Sequence, residues 1–392
     1  MKRILFFTIP EKGHLNPMIG PAVWLQRLGY EVRFHASHDI SAQLHGAGLQ
    51  ALEMETAASP PSDANRGAFF AAKVKDAAWL REWIQRLLVD EAPAQLPALD
   101  AAIRHFRPDL IVTDPMIYPA AIAAHRAGIA WVALSNSLNP VLDEHITSDL
   151  LETVQALSPA RQALVAAYGM NVDFRGCDML SPHLTIAFTT EAFIGRPVPG
   201  VEMVGPSLPP AQRGDETDFP WDLLATDRPK IFMSFGSQIY HQPALFQKVI
   251  LASADTRVQL ILSVNELLGS SLLANLPPHV LACRYAPQLK LLPHMQAFIT
   301  HGGANSVMEA LHFGVPLLIS PVCNDQFHQA HFIRQSGVGL ELNLATATVA
   351  EVRHCIHTLL HDPAIAANVK YVFESYALDG AQRAAELIAT LI

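Results

Sequence analysis

The chain has 392 residues, half of them hydrophobic and 16% charged, with a formal net charge of −9. That length exceeds one ordinary domain and suits two of about 150 to 200 residues, each with apolar side chains enough for its own core. A nucleic-acid surface needs a basic excess, which this acidic chain lacks, so small molecules are the expected partners.

The opening apolar run, residues 4–9, imitates a signal peptide but stops at Pro10-Glu11-Lys12 and reads instead as a first strand. No uninterrupted apolar run reaches the roughly 18 residues that a transmembrane span requires. Residues 12–17 follow as a loop, 17–28 as a helix and Glu31–His35 as a second strand. Residues 60–100 read as helical, with Trp79, Trp83 and Leu87 at four-residue steps; core packing is the first reading of that stripe, and contact with an acceptor the other. Leu110–Thr113 and 131–134 are strands, and 118–127 between them is a helix. The pattern breaks near Gly205-Pro206-Ser207, and 207–228 reads as a linker. Residues 230–235 then restart with a strand and a Gly236-Ser237 turn. The alternation predicts an α/β protein of two Rossmann-like, doubly wound domains, an N-terminal one over 1–206 and a C-terminal one over 229–371. Cys177, Cys283, Cys323 and Cys355 are scattered without a C-x-x-C pair, which fits a reduced cytoplasmic protein and makes Cys283 and Cys323 packing residues rather than nucleophiles. The pairs His35/His38 and His328/His331 lack a convincing third ligand, so no metal site is expected.

The most informative stretch is 285–326. A short strand, Ala297–Thr300, runs into His301-Gly302-Gly303 and then a helix-like pattern over 304–313. Glycines let the backbone pass close to a ligand, and a helix start offers unpaired N–H groups and partial positive charge to a diphosphate. His301 points a ring nitrogen into the same space. Asn305 and Ser306 add short polar groups on the first helical turn. Glu309 follows one turn later, where a carboxylate can accept both vicinal hydroxyls of a ribose. A further strand over 315–319 leads to a loop carrying Asn324, Asp325 and Gln326, in the strand-end position where ligands bind in parallel sheets.

These elements, an aromatic-x-Pro-Gln at Tyr285 to Gln288, the His301 to Glu309 run, Gly-Val-Pro and then Asp325-Gln326, resemble the signature of nucleotide-sugar-dependent glycosyltransferases. That group has the GT-B architecture, in which two such domains face each other across a cleft, and includes plant secondary-metabolite enzymes and bacterial macrolide and flavonoid enzymes. The resemblance implies Tyr285 against the nucleobase, Gln288 near base and ribose, and Ser237 beside the donor. It further implies His301, Gly303, Asn305 and Ser306 on the diphosphate, Glu309 on the ribose, and Asp325 and Gln326 on the transferred sugar. It also implies that the last helix, about 372–392, crosses back onto the first domain. Tyr285 departs from the Trp usual in plant enzymes, and Gln329 from the Asn that commonly follows Asp-Gln.

Chemistry falls to the first half. His14 follows the first strand, where an imidazole serves as base for a hydroxyl if its charged form is stabilised. Asp114, at the end of Leu110–Thr113, is placed to do that. Both resemble the catalytic His and Asp of the same group, whereas Lys12 reads as a solvent charge. The expected protein is an inverting, metal-independent hexosyltransferase without cofactor. Its co-substrate is a nucleotide sugar, UDP-glucose before a dTDP-sugar, and its acceptor a small hydroxylated lipophile or phenol held by 60–100 and 136–180. An epimerase of similar architecture and a non-catalytic binding protein are the other classes.

Overall fold

The computed structural model describes residues 1–54, 64–74, 76–143, 145–214, 216–254, 256–270, 273 and 275–392. Two six-stranded parallel sheets organise them. The first contains β1 (Arg3–Phe7), β2 (Glu31–His35), β3 (Leu110–Thr113), β4 (Trp131–Ser135), β5 (Leu184–Ala187) and β6 (Glu202–Met203), in the order β2-β1-β3-β4-β5-β6. The second contains β7 (Lys230–Ser234), β8 (Gln259–Ser263), β9 (Val280–Cys283), β10 (Ala297–Thr300), β11 (Leu317–Ile319) and β12 (Gly339–Glu341), in the order β9-β8-β7-β10-β11-β12. Helices cover both faces, so central strands such as β3, β4 and β10 are buried along their whole length and read as unbroken apolar runs. In each sheet the strand order reverses at one place, between β1 and β3 in the first and between β7 and β10 in the second. Ligands bind at such reversals, beyond the strand C-ends.

The first helix, α1 (Lys12–Arg27), starts five residues earlier than Pro17, so 12–17 is a helical first turn and not a loop. Pro17 and Pro21 lie inside it. An interior proline has no N–H for the carbonyl four residues back, which frees the carbonyls of Gly13 and Pro17. Both find donors elsewhere in the chain. Asn305 Nδ2 donates to Gly13 O at 3.0 Å, and Ser207 Oγ donates to Pro17 O at 2.5 Å. A proline that reads as a helix start is thus an interior residue made tolerable by tertiary donors.

The chain end forms two helices where one was expected, Pro363–Ser375 and Gly380–Ala389. Between them Tyr376 is buried, its carbonyl accepting from His312 Nδ1 at 3.0 Å. Asp379 then caps the second helix through Gln382 N at 2.9 Å. Gly380–Ala389 packs against α1 at Gly20, where a Cβ would stand 2.7 Å from Ala381 Cβ and 2.8 Å from Leu208 O. The region expected to be one helical stretch over 60–100 is Ala64–Lys73, Ala77–Gln85, a π-helical turn Arg86–Asp90 and Ala92–Phe106; its residues 60–63 and 75 lie outside the described ones. No helix among the described residues is long and apolar enough to cross a membrane.

The close seat at Gly20 carries a prediction. Gly20→Val overpacks the contact between α1 and the last helix and should destabilise the protein by about 1 to 3 kcal/mol. Urea unfolding of the two proteins measures it, and an unchanged midpoint would show that the two helices are not tightly docked.

Candidate active site

A cavity of about 780 Å³ opens between the C-terminal ends of the two sheets. Its size suits a small-molecule site. Every donor-side residue named from the sequence lines it, and so does His14, while Asp114 lies fully buried behind.

On the first sheet the strand reversal sets the chemistry. His14, in the first turn of α1 after β1, places Nδ1 2.6 Å from Asp114 Oδ2 at the end of β3. The carboxylate is held from both sides, because Met116 N donates to Oδ1 at 2.9 Å and Asn136 Nδ2 to Oδ2 at 2.9 Å. A carboxylate so bound takes the Nδ1 proton as its partner and leaves Nε2 to act on a substrate. Burial lowers the His14 pKa, but the charge and hydrogen bond of Asp114 outweigh it and raise the value to about 9. Asn136 was not singled out from the sequence, although it follows β4 just as Asp114 follows β3, and the same strand-end rule points to it. Beneath it, Asp178 accepts from Ser135 Oγ at 2.5 Å and Asn139 Nδ2 at 2.8 Å. Burial pushes the Asp178 carboxyl up to about 7 against those bonds.

On the second sheet the glycines make room for a ring. A Cβ on Gly236 would lie 2.8 Å from His301 Cε1, and one on Gly303 2.7 Å from His301 Nε2, so the imidazole is held between two bare backbones. Gly302 has φ +91° and faces Ile319, another position closed to a side chain. Burial lowers the His301 pKa to about 4. The ring is therefore neutral at physiological pH and offers an N–H rather than a charge. The helix Ala304–His312 begins at Gly303 with no side-chain cap, leaving its first N–H groups toward the cavity beside Ser306 and Ser237.

Four of these donor-side residues also have partners within the protein. Asn305 spends its amide on Gly13 O across the cleft, where the carbonyl freed by Pro17 needs a donor, so this amide holds the other domain. Glu309 is paired with Arg213, and Gln288 Nε2 donates to its other oxygen at 2.7 Å. Both its oxygens are thus engaged within the protein. Gln326 turns its Oε1 to the backbone N–H groups of Val322 at 2.8 Å and Cys323 at 3.1 Å, fastening the loop that lines the cavity. Tyr285 carries Lys12 Nζ 4.0 Å from its ring centre, so Lys12 covers an aromatic face and is no mere solvent charge. Asp325 remains directed at the site, burial raising its pKa and His14 acting to lower it. Asn324, beside it at φ +54°, also lines the cavity and has a buried Oδ1 with no hydrogen-bond partner among the described residues.

The tryptophan stripe also belongs to the cavity. Trp79 and Trp83 stack with ring centres 5.9 Å apart and planes 8° apart, and both line the cleft with Leu87. Of the stretch 136–180, Asn136, Ser137, Asn139, Leu150 and Cys177 reach it.

Comparison with known proteins agrees with this geometry. Residues 248–388 match the family model described as erythromycin biosynthesis protein CIII-like, C-terminal domain. The NDP-glycosyltransferase YjiC of Bacillus licheniformis is 26% identical over 402 aligned positions, covering 100% of this chain and 98% of its own length. The 4'-demethylrebeccamycin synthase of Lentzea aerocolonigenes is 25% identical, with 100% and 99% covered. The crystal structure of CalG4, the calicheamicin glycosyltransferase, superposes with a TM-score of 0.76 at 23% identity, covering 100% of this chain and 98% of that one. The chain is a glycosyltransferase of GT-B fold, similar over its length to the NDP-sugar and natural-product enzymes just named.

Other reactive groups of this glycosyltransferase lie apart from the dyad. His328 is buried, its Nε2 is 2.9 Å from Ser148 Oγ, and burial lowers its pKa to about 4. Among the described residues no group of three His, Cys, Asp or Glu side chains is placed to hold a metal. Burial raises the thiol of Cys283 to about 11 and that of Cys323 to about 12, which leaves both protonated and unreactive.

The dyad yields a pH prediction. A base must be neutral, and His14 loses its proton only as pH rises through about 9. kcat/KM should therefore climb tenfold per pH unit from 6 and level near 9. Asp114→Asn removes the largest group that raises the value and leaves only Glu11 and Asp325 to oppose burial, so the limb should move to lower pH while the plateau falls. A limb that stays in place in the variant would show that another group titrates.

Proposed function

We propose that this glycosyltransferase moves a hexose, with inversion at the anomeric carbon, from a nucleoside diphosphate sugar to a hydroxyl of a flat phenol or lipophilic alcohol. The observation that carries the reading is the meeting of two strand reversals in one cavity. The His14–Asp114 pair at the first faces the glycine turn and helix start at the second. His14 Nε2 takes the acceptor proton as the acceptor oxygen bonds to the anomeric carbon. The bond from that carbon to the diphosphate breaks, and its electron pair leaves with the nucleoside diphosphate. One displacement inverts the centre. Asp114 holds the imidazolium that forms.

The open N–H groups of the helix Ala304–His312, the His301 N–H and the hydroxyls of Ser306 and Ser237 are the donors available to the leaving diphosphate. They support a metal-independent reaction. Trp79, Trp83, Leu87 and Leu150 give the acceptor side an aromatic and aliphatic wall, which supports the choice of acceptor. UDP-glucose is the first donor to test, on the strength of Glu309 standing beside the base-side residue Gln288. A dTDP-sugar is the second reading, favoured by the engagement of both Glu309 oxygens. Free cysteines throughout support a cytoplasmic site of action.

His14→Ala should lower kcat on an aliphatic alcohol by about 10²- to 10⁴-fold while leaving the affinity for the nucleoside diphosphate within about twofold. Near-normal turnover would sink the assignment of the base. Excess chelator should leave the rate within about twofold, since the donors named are all protein groups; loss of activity that magnesium or manganese restores would overturn the metal-independent reading.

A further inference from the structure

Glu309 is buried in the donor side of the cleft with both of its oxygens taken. Arg213 Nη1 donates to Oε1 at 2.5 Å, Gln288 Nε2 donates to Oε2 at 2.7 Å, and all three side chains line the cavity. The side chains of the ion pair are 8% and 2% exposed, so water screens it little.

The arginine does not belong to the donor domain. It lies on the segment that joins the two domains, where Glu216 accepts from the backbone N–H of Arg213 at 2.7 Å and of Gly214 at 2.9 Å. On one side Thr217 Oγ1 donates to the Tyr285 carbonyl at 3.2 Å. On the other, Gly214 sits so close to the helix Ser41–Gly46 that a Cβ would be 2.4 Å from Gln43 O. A turn fastened at both sides delivers the guanidinium to one place.

A carboxylate tells ribose from 2'-deoxyribose by accepting a hydrogen bond from the extra hydroxyl. The carboxylate has lone pairs beyond the two in use, but its side chain is 2% exposed, so a ribose hydroxyl reaches them only by moving the arginine, and a neutral bond does not displace a charge-assisted one. We propose that Arg213 sets the pentose selectivity of the donor site: by holding Glu309 it withdraws the acceptor for the 2'-hydroxyl, and the site takes ribo- and 2'-deoxyribonucleoside diphosphates alike. This rests on the reading of the cavity as a nucleotide-sugar site. It makes the linker, and not the donor domain alone, the determinant of which nucleotide series is used.

UDP and dUDP differ only by the hydroxyl in question, which removes the base methyl as a confounder. Calorimetric titration of both into wild type should give affinities within about threefold of each other. In Arg213→Ala the freed carboxylate should favour UDP over dUDP by a further factor of about 3 to 10, and Arg213→Lys, which keeps a cation beside Glu309, should stay close to wild type. A wild type that prefers UDP tenfold or more overturns the proposal without any variant. So does an Arg213→Ala protein of unchanged thermal midpoint whose UDP to dUDP ratio does not move, or that loses both nucleotides equally, which would put Arg213 on the diphosphate. Failure of wild type to bind UDP, dUDP and dTDP would sink the donor-site reading itself, and this proposal with it.

Discussion

The hydrogen bond from Asn305 to the carbonyl of Gly13 joins the two halves of the molecule at the point where their chemistry meets. That carbonyl is open because Pro17 cannot supply the helical N–H, and Asn305 stands on the first turn of the helix whose start faces the cavity. One residue further along α1 is His14. His14 on one domain is therefore positioned by the same contact that fastens, on the other, the helix whose start faces the cavity. A second freed carbonyl, that of Pro17, is taken by Ser207 of the connecting segment. Two prolines that would each weaken an isolated helix serve here as docking points, because each leaves an acceptor that only another part of the chain can satisfy.

Around that junction, side chains from the first domain and the linker occupy donor-side groups. Lys12 covers Tyr285, and Arg213 holds Glu309. Both cations come from outside the donor domain, which itself presents a neutral His301 and the partial charge of a helix start. The charges at this end of the cavity are set by the interface between domains rather than by the second domain alone. The acceptor side is apolar by contrast, with stacked Trp79 and Trp83 as its wall.

The dyad illustrates how a fold moves a proton-transfer group away from its ordinary range. Asp114 is buried and held by Met116 N and Asn136 Nδ2, so its orientation toward His14 is determined by these two partners. Its charge raises the imidazole to about 9 although burial acts the other way. The same arrangement makes the base strong and mostly occupied at neutral pH. Catalytic power and the fraction of active base therefore pull in opposite directions, and the acidity of the acceptor decides which matters more.

Much of the fold was legible in the chain. Apolar runs of strand length, separated by helical stretches and punctuated by glycine turns, specify parallel sheets, since the burial of both faces leaves a mark that local composition carries. The rule that ligands sit at strand C-ends located His14, Asp114 and the turn at His301, and applied to β4 it also reaches Asn136. What the sequence could not carry was the partner of each side chain. Asn305, Glu309 and Gln326 have the right types for a diphosphate, a ribose and a sugar and line the cavity, but each is also bonded within the protein, to Gly13 O, Arg213 and the Val322–Cys323 backbone. Those contacts join residues far apart in the chain or depend on a loop's turn, and no local pattern encodes them. The same holds for the start of α1, where the cost of interior prolines is offset by donors from beyond residue 200. Periodicity and turn chemistry determined the elements and the strand ends at which chemistry is placed; only the packing of one domain on the other decided which polar groups remain free to meet a substrate, because a hydrogen-bond donor goes to whichever acceptor the tertiary fold brings within reach.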